Sequence, residues 1–227
     1  MIFRQLFDPE SSTYTYLLGD EKTYEGVIID PVREHAERDL ALIQQLGIKL
    51  KFIIETHVHA DHITAASAIK AKTCAQTAVA MDCAAPGYDR MLIDGDFIQF
   101  GNETIKVVAT PGHTLGSTSL LWRDRVFTGD TLLIGGCGRA DFQNGDASAL
   151  YKSITQKLFT LPDDTLVYPG HDYNMRRVST IAEEKQTNPR LAGKTEAEFI
   201  NIMANLNLPK PRRIDEAVHA NKAGGTH

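Results

Sequence analysis

Residues 50–62 read LKFIIETHVHADH, a short apolar run followed by a dense group of metal-binding side chains. The run at 50–55 is typical of a buried β-strand. The loop that follows it contains three histidines and one aspartate within six residues: His57, His59, Asp61 and His62. A solvated polar loop is the plain alternative, but imidazole and carboxylate groups at this density suit Zn, Fe or Mn. The motif therefore predicts a metal site immediately after this strand.

The same design, an apolar run that ends just before a histidine or an aspartate, occurs three more times. Runs at 105–109, 125–128 and 166–168 are followed by His113, Asp130 and His171. A glycine, which permits a tight turn, directly precedes each of the three: Gly112, Gly129 and Gly170. Taken alone, His113 or His171 is interpreted as an ordinary hydrogen-bonded histidine. Because strands of one sheet bring their end loops together, the four loops predict one shared site, with His113 among its ligands.

Around these motifs, strands and helices alternate early, strands dominate the middle, and helices close the chain. Strands are predicted at 13–18, 26–29, 50–55, 77–81, 97–100, 104–109, 119–122, 125–128 and 166–168. Helices are predicted at 35–46, 63–72, 146–159, 179–185 and 195–206. Residues 209–213 (PKPRR) form a stiff basic connector, and 223–227 are expected to fray. This order favours an α/β sandwich with helices outside two sheets.

Composition limits the function classes. The 227 residues carry 24 basic and 29 acidic side chains, a net charge of −5, and 42% are hydrophobic, which excludes a disordered chain. The mild acidity argues against nucleic-acid binding, and the lack of an apolar run of about 18 residues argues against a membrane span. The first residues lack the pattern of a targeting leader, so we expect a cytoplasmic protein. The three cysteines have no CxxC spacing, which argues against a disulfide framework.

Longer motifs resemble the persulfide dioxygenases of the metallo-β-lactamase fold superfamily. They read THVHADHIT at 56–64, TPGHT at 110–114, FTGDTL at 127–132, GCGR at 136–139, DFQ at 141–143, YPGHDY at 168–173, NPR at 188–190 and NLPKP at 207–211. The resemblance extends from residue 3 to about residue 220. It implies a mixed α/β (α+β) fold, the αββα sandwich of metallo-β-lactamases. We expect this to be one domain over 1–220, followed by a flexible tail over 221–227.

The sequence departs from the family pattern at positions that flank the site: Ala65, Gly135, Ala140, Asn174 and Met175. None of the five is a proposed ligand. We expect these five residues to affect the fit of the substrate and the rate of its reaction. They do not change the predicted metal site.

The resemblance implies a sulfur dioxygenase with one Fe(II) per chain, held by His57, His113 and Asp130. This is the two-histidine, one-carboxylate arrangement that leaves open positions on the metal. The remaining residues of the motifs, His59, Asp61, His62 and His171, are implied as an outer layer that orients the ligands. The expected reaction oxidises glutathione persulfide with O2 to sulfite and glutathione, a step of sulfide oxidation. The resemblance also implies a homodimer.

Substrate contacts are expected from cations, because glutathione is an anionic tripeptide. Arg139 and Tyr173 occupy contact positions in glutathione-handling relatives, and Arg212 and Arg213 are further candidates from the connector. For the last two, a solvated linker charge is equally compatible with the sequence. Cys137, between two glycines, is interpreted as a small packed residue that lines the pocket, while His35, His219 and His227 are interpreted as surface or tail residues.

Two other functions remain open on the residues alone. A glyoxalase-II-like hydrolase of glutathione thioesters would use two metals, with Asp130 bridging them and His59, Asp61, His62 and His171 all as ligands. Such hydrolases typically carry a longer helical C-terminal portion than the roughly 55 residues that follow His171 here. A non-catalytic metal-bearing scaffold is the remaining alternative, although no exposed apolar repeat or charged tail supports it.

Overall fold

A computed structural model describes residues 1–211 and 213–226 of the chain. Its first sheet has six strands in sequential order, β1 to β6, with antiparallel pairing from β1 to β3 and parallel pairing from β3 to β6. The strands are β1 (Ile2–Asp8), β2 (Thr13–Gly19), β3 (Glu25–Ile29), β4 (Lys49–Ile54), β5 (Gln76–Ala80) and β6 (Arg90–Leu92).

The second sheet also has six strands, in the order β12-β11-β10-β9-β8-β7. The strands are β7 (Phe97–Phe100), β8 (Glu103–Ala109), β9 (Thr118–Trp122), β10 (Arg125–Gly129), β11 (Leu166–Pro169) and β12 (Ser179–Thr180). All neighbours pair antiparallel except β10 and β11, which are parallel. Six helices accompany the sheets: α1 (Ala36–Gln45), α2 (Ala66–Thr73), α3 (Ala147–Lys152), α4 (Ile181–Thr187), α5 (Glu196–Ala204) and α6 (Ile214–Lys222).

Three apolar clusters define the layers. The central one joins side chains of both sheets, among them Tyr16 and Ile54 from the first and Trp122 and Phe127 from the second. The outer face of the first sheet is covered by α1 and α2, and that of the second by α3, α4 and α5. A fully buried Leu, Ile or Phe contributes roughly 1.5–3 kcal/mol, so the three clusters together stabilise the αββα order that the sequence predicts.

The topology gathers the predicted site loops at one edge of the sandwich. Strands β3 and β4 run parallel in the first sheet, and β10 and β11 run parallel in the second. Strand β8 runs in the same direction as β10, because both are antiparallel to β9. The segments after β3, β4, β8, β10 and β11 therefore all begin at the same edge, where carboxyl ends of strands commonly build sites.

Most predicted elements are confirmed with shifts of one to three residues. The helix expected at 146–159 is α-helical only through Lys152 and continues to Thr160 in wider and then tighter turns. The structure adds β1, β6 and α6, which the sequence did not indicate, and it forms the short strand β12 at Ser179–Thr180, where the helix at 179–185 was expected to begin. Among the described residues, no helix combines the length and apolarity needed to cross a bilayer.

The C-terminal end differs from its prediction as a flexible tail over 221–227. Asn221 is buried at the end of α6, and the residues after it fold back on the domain. The main-chain carbonyl of Gly224 accepts a hydrogen bond from the amide of Ser67 (3.0 Å), and the carbonyl of Gly225 accepts one from Arg33. Within the described residues the chain thus stays packed through Gly225, because these groups have hydrogen-bond partners on the domain; His227 lies outside the described residues.

Candidate metal centre

Three of the predicted residues converge at the edge of the sandwich. Ligand atoms of His57, His113 and Asp130, which we call the triad, all lie within 4.8 Å of one another. The imidazole Nε2 of His113 is 3.7 Å from Oδ2 of Asp130. Two ligand atoms that each bind one ion at about 2.1 Å can be up to about 4.2 Å apart, so this spacing suits a shared metal.

Both triad histidines have one ring nitrogen already committed. Nδ1 of His113 donates to the main-chain carbonyl of Arg139 (2.6 Å). Nδ1 of His57 is 3.0 Å from the hydroxyl oxygen of Thr56, and that hydroxyl donates to Asp30 (2.8 Å), so its oxygen accepts from His57. These contacts leave Nε2 of each ring as the unprotonated nitrogen, the arrangement that outer partners impose on metal-binding histidines.

The charge states of the triad also suit a cation. Burial, together with the neighbouring His59 and His113, lowers the pKa of His57 well below its usual value, so its imidazole is neutral near pH 7. Burial alone would raise the pKa of Asp130, but His171 and the triad histidines outweigh it and hold that pKa below its usual range. The triad therefore offers a neutral imidazole on His57 and a carboxylate on Asp130.

A second group, Asp61, His62 and His171, lies beside the triad, and we call it the outer network. Oδ2 of Asp61 accepts from Nδ1 of His62 (2.8 Å), from Nε2 of His171 (3.0 Å) and from the hydroxyl of Thr13 (3.1 Å). Nδ1 of His171 donates to Oδ1 of Asp130 (2.6 Å). Burial opposes a charge on His171, yet the two carboxylates raise its pKa well above the usual value. His171 is thus an imidazolium that joins the network to the triad.

His59 lies between two buried carboxylates. Its Nε2 is 3.2 Å from Asp30 and 3.3 Å from Glu55. Burial would lower the pKa of His59, but Asp30 and Glu55 raise it well above its usual value. Among the described residues, the buried polar atoms that lack a hydrogen bond include both ring nitrogens of His59, Nε2 of His62 and Oε2 of Glu55. Each such atom costs about 1–3 kcal/mol, and none belongs to the triad, so their concentration indicates a polar site for a cation beside the triad rather than within it.

Two glycines allow the loops to approach this closely. Gly129 has a φ of +50°, and a Cβ there would lie 2.6 Å from the Thr56 hydroxyl oxygen. The sequence singled out Gly129 for its place before Asp130. It gave no such role to Gly138, where a Cβ would lie 2.7 Å from Nδ1 of His113. A side chain at either position would displace the groups that hold the triad histidines.

The predicted substrate residues nearest the site are Arg139 and Tyr173. Tyr173 is 74% exposed and stacks on His171 with ring centroids 6.1 Å apart. The Arg139 guanidinium pairs with both carboxylate oxygens of Asp141 (2.6 and 2.7 Å) and donates to the main-chain carbonyl of Pro209 (2.6 Å). Arg139 also borders a cavity of about 420 Å³ between its own loop and α5.

Of the other predicted pocket residues, Arg213 and Cys137 contact side chains outside the triad. Arg213 pairs with Glu34 and Glu216 on the side of α6, and Arg212 lies outside the described residues. Cys137 is buried in the apolar cluster under α5, with its Sγ 3.7 Å from Sδ of Met203. Burial raises the pKa of its thiol to about 11, so it is a packed, protonated residue.

Several residues that organise the site were not assigned from the sequence. Asp30 had a usable signal, because it follows β3 as the predicted ligands follow their strands. Thr56 was part of the quoted motif but had no assigned role. Thr13, on β2, and Asn221, whose amide nitrogen donates to the carbonyls of His59 (2.9 Å) and His62 (2.8 Å), had no signal at all.

Comparisons with known proteins agree with this geometry. Residues 8–171 match the metallo-beta-lactamase superfamily. The mitochondrial persulfide dioxygenase ETHE1 of Homo sapiens is 48% identical over 227 residues, covering 99% of this chain and 89% of that protein. The crystal structure of ETHE1 from Myxococcus xanthus is 57% identical with a TM-score of 0.97, covering 99% of this chain and 100% of that one. A hydroxyacylglutathione hydrolase of Brucella anthropi is 44% identical over 178 residues, covering 75% of this chain and 66% of that protein.

The superfamily match includes every triad residue, and the ETHE1 matches extend to the C-terminal helix. The fold, the order of the site loops and the near-complete coverage lead to one assignment. The chain belongs to the metallo-β-lactamase superfamily and, within it, to the persulfide dioxygenase ETHE1 family.

Proposed function

We propose that the protein is a persulfide dioxygenase that oxidises glutathione persulfide with O2. One persulfide, one O2 and one water give glutathione, sulfite and two protons, with both oxygen atoms of O2 ending on the outer sulfur. The observation that carries the proposal is the near-complete match to ETHE1 proteins, 48% and 57% identical. The convergence of His57, His113 and Asp130 supports it, because two histidines and one carboxylate are the ligand set of non-haem iron oxygenases.

The triad would hold one Fe(II) through Nε2 of His57, Nε2 of His113 and a carboxylate oxygen of Asp130. Iron held by only three protein ligands would leave open positions for O2 and the persulfide sulfur and would activate O2, while the four electrons that reduce O2 come from the outer sulfur. The protein sets the direction of the ligands: Thr56 and the carbonyl of Arg139 hold the two Nδ1–H groups, so both rings keep one tautomer and one orientation.

The outer network would keep Asp130 charged and in place. His171 donates to Oδ1 of Asp130 at 2.6 Å, which leaves Oδ2 directed toward His113. Asp61 in turn accepts from the opposite nitrogen of His171, and this fixes the ring between two carboxylates. The imidazolium of His171 also balances part of the negative charge beside the site, which favours the approach of an anionic persulfide.

Arg139 and Tyr173 are our candidates for contact with the glutathione portion. Arg139 is already paired with Asp141, so a substrate carboxylate would share its guanidinium. Arg139→Ala should raise KM for the persulfide about fivefold, the upper range for an exposed ion pair. Iron content should not change, because His113 donates to the main-chain carbonyl of residue 139, which alanine retains. An unchanged KM would remove Arg139 from substrate binding.

Arg213 and the undescribed Arg212 remain weaker candidates for substrate contact. The Arg213 guanidinium is already shared between Glu34 and Glu216. The proposal also includes a homodimer and a cytoplasmic location, as expected from the sequence. The mitochondrial designation belongs to the human relative.

A dinuclear hydrolase of glutathione thioesters is the second candidate, and one observation favours it. The ring nitrogens of His59 and Nε2 of His62 are buried without hydrogen bonds, and they are among the groups that would bind a second metal. The Brucella hydrolase also shares 44% of its aligned residues with this chain. The hydrogen bonds that engage Asp61 and both nitrogens of His171 favour the mononuclear arrangement.

One assay separates the two functions. The purified protein, loaded with Fe(II) under anaerobic conditions, is mixed with glutathione persulfide in aerated buffer while O2 and sulfite are followed; a parallel reaction contains a glutathione thioester. We expect one O2 consumed per sulfite formed and no thioester cleavage. Thioester hydrolysis without persulfide-dependent O2 uptake would replace the proposal with the hydrolase.

A further inference from the structure

One buried side chain of α6 reaches the loop that carries His57. The side chain of Asn221, 1% exposed, uses both of its N–H groups on main-chain carbonyls of this loop, at His59 (2.9 Å) and at His62 (2.8 Å). Its Oδ1 accepts from the main-chain amide of Thr64 (2.9 Å). The three contacts bridge about 160 positions of sequence.

These contacts matter because the loop has little regular structure of its own. Residues 55–63 lie between β4 and α2 without helix or strand, and His59, His62 and Thr64 are each 2% exposed or less. Buried main-chain groups need hydrogen-bond partners, which secondary structure supplies elsewhere. Main-chain amides of Arg33 and Thr118 and the side chain of Gln143 supply some of them here. One amide side chain supplies three partners between His59 and Thr64, so Asn221 anchors this part of the loop.

The loop is connected to the triad at two points. His57 is part of it, two residues before the carbonyl that Asn221 holds. Asp61 lies between the two held carbonyls, and its carboxylate accepts from His171, which donates to Asp130. A shift of the loop would therefore move one triad ligand directly and disturb a second through hydrogen bonds.

The surface of α6 that packs against the loop permits this contact. Ala217 and Ala220 on α6 pack against Ile63 of the loop, and all three side chains are buried. Small side chains let the helix approach closely, which brings the Asn221 amide within hydrogen-bond distance of the loop main chain.

We propose that Asn221 is a positioning residue, which fixes the loop of His57 from the C-terminal helix and thereby sets how firmly the triad holds its metal. The identity of the metal, Fe(II), rests on the proposed function. The role itself concerns metal retention and can be tested without measuring turnover. Loss of an outer partner of a metal ligand typically costs 10–100-fold in affinity or activity. Asn221 acts one step farther out, so we expect about tenfold faster metal release.

The test measures release of Fe(II) from the full-length protein to a chelator under anaerobic conditions. Asn221→Ala removes all three contacts. Asn221→Asp keeps the volume and an acceptor, but it replaces the two donors with an oxygen that faces carbonyl groups. Both should release iron about tenfold faster than wild type. The absorption bands of the Co(II)-substituted variants should also differ from those of wild type, because these bands report ligand geometry.

A control in the same helix separates positioning from stability. Ile214→Ala shortens a buried side chain at the start of α6 and leaves the Asn221 contacts in place. It should lower Tm while iron release and the Co(II) bands stay as in wild type. The proposal is overturned if Asn221→Asp retains iron and the Co(II) bands of wild type, or if Ile214→Ala accelerates release as much as the Asn221 variants.

A milder variant provides the test if Asn221→Ala and Asn221→Asp do not fold. Asn221→Ser retains one donor and should release iron about threefold faster, and a wild-type release rate would overturn the proposal. If the wild-type protein shows no persulfide-dependent O2 uptake, the proposed function fails, but the retention of Fe(II) or Co(II) still decides the role of Asn221.

Discussion

The triad and the outer network contain the same kinds of side chain but use them differently. In the triad, both histidines direct Nδ1 to oxygens outside the group, to Thr56 and to the carbonyl of Arg139, and so leave Nε2 available. In the outer network, Asp61 accepts from His62 and His171, while His171 also donates to Asp130. Residue type alone therefore does not identify a ligand; the partner of each second nitrogen does.

The largest expected effect comes from removing the carboxylate of the triad. Asp130→Ala should weaken Fe(II) binding more than about 100-fold, beyond the range for loss of an outer partner, and abolish O2 uptake. Chelator competition and metal analysis measure the change. Asp163→Ala, which removes an exposed aspartate paired with Lys185, is the matched control and should behave as wild type. Retention of iron by Asp130→Ala would exclude Asp130 as a ligand.

Removing a residue of the outer network should lower the activity without removing the bound metal. His171→Ala deletes the donor to Asp130 but no proposed ligand, so we expect nearly one iron per chain at saturating Fe(II) and a kcat lower by about 10–100-fold. His219→Ala, which removes an exposed histidine of α6, should leave both unchanged. Loss of metal as severe as in Asp130→Ala would place His171 among the ligands and erase the distinction between the two groups.

A smaller effect should follow from Thr56→Val, which removes the oxygen that accepts from His57 and keeps the side-chain shape. We expect about tenfold weaker Fe(II) binding, the lower end for a lost outer partner. Thr15→Val is a close match, because Thr15 is also buried and its hydroxyl donates to the main-chain carbonyl of Asp30 (2.8 Å) without touching a histidine. Equal metal affinity in the two variants would mean that Thr56 does not orient His57.

The smallest effect concerns residues that adjoin the outer network. Thr13 donates to Asp61 of that network, and Ser11 connects Thr13 to Asp8. Burial alone would raise the pKa of Asp8, but hydrogen bonds from Ser11, His35 and the main chain lower it from 3.8 to about 2. A carboxyl whose pKa is lowered on folding stabilises the protein at pH values above its pKa in the unfolded chain. This contribution is lost as the pH falls through its pKa in the folded protein.

Asp8→Asn should therefore lower the free energy of unfolding by about 1 kcal/mol at pH 7, a value reduced for solvent screening. The difference from wild type should shrink below about pH 4 and be mostly lost near pH 2, where the carboxyl of the folded protein is half protonated. Urea unfolding at pH 7, 4 and 2 measures it. A difference as large at pH 2 as at pH 7 would show that the charge of Asp8 is not its cause.

The fold and the meeting of the site loops were accessible from the sequence because each depends on a local pattern, whereas the choice of His57, His113 and Asp130 as the ligands came from the family resemblance. A histidine or an aspartate that directly follows a buried strand is expected at the edge of the sheet where that strand ends. Parallel strands end at the same edge and so bring such residues together. His57, His113 and Asp130 meet as this rule implies. Asp30 obeys the same rule, so its place under Thr56 was within reach of the sequence.

Other parts of the site depend on contacts without a local signature. Asn221 lies about 160 residues from the loop it holds. The α6 side chains that face this loop, Ala217 and Ala220, are small, and the glycines that follow Asn221 resemble a frayed end. Gly138 is needed only because His113 and Asp130 lie against it. Nor does the sequence show that Arg139 is already paired with Asp141, which determines how it meets a substrate.

The most direct test of a single triad-bound iron is anomalous diffraction at the iron edge, from crystals of the wild-type protein saturated with Fe(II). We expect one anomalous peak per chain, within bonding distance of His57, His113 and Asp130. A second peak of similar height among His59, Asp61, His62 and His171, or a single peak away from the triad, would contradict the account.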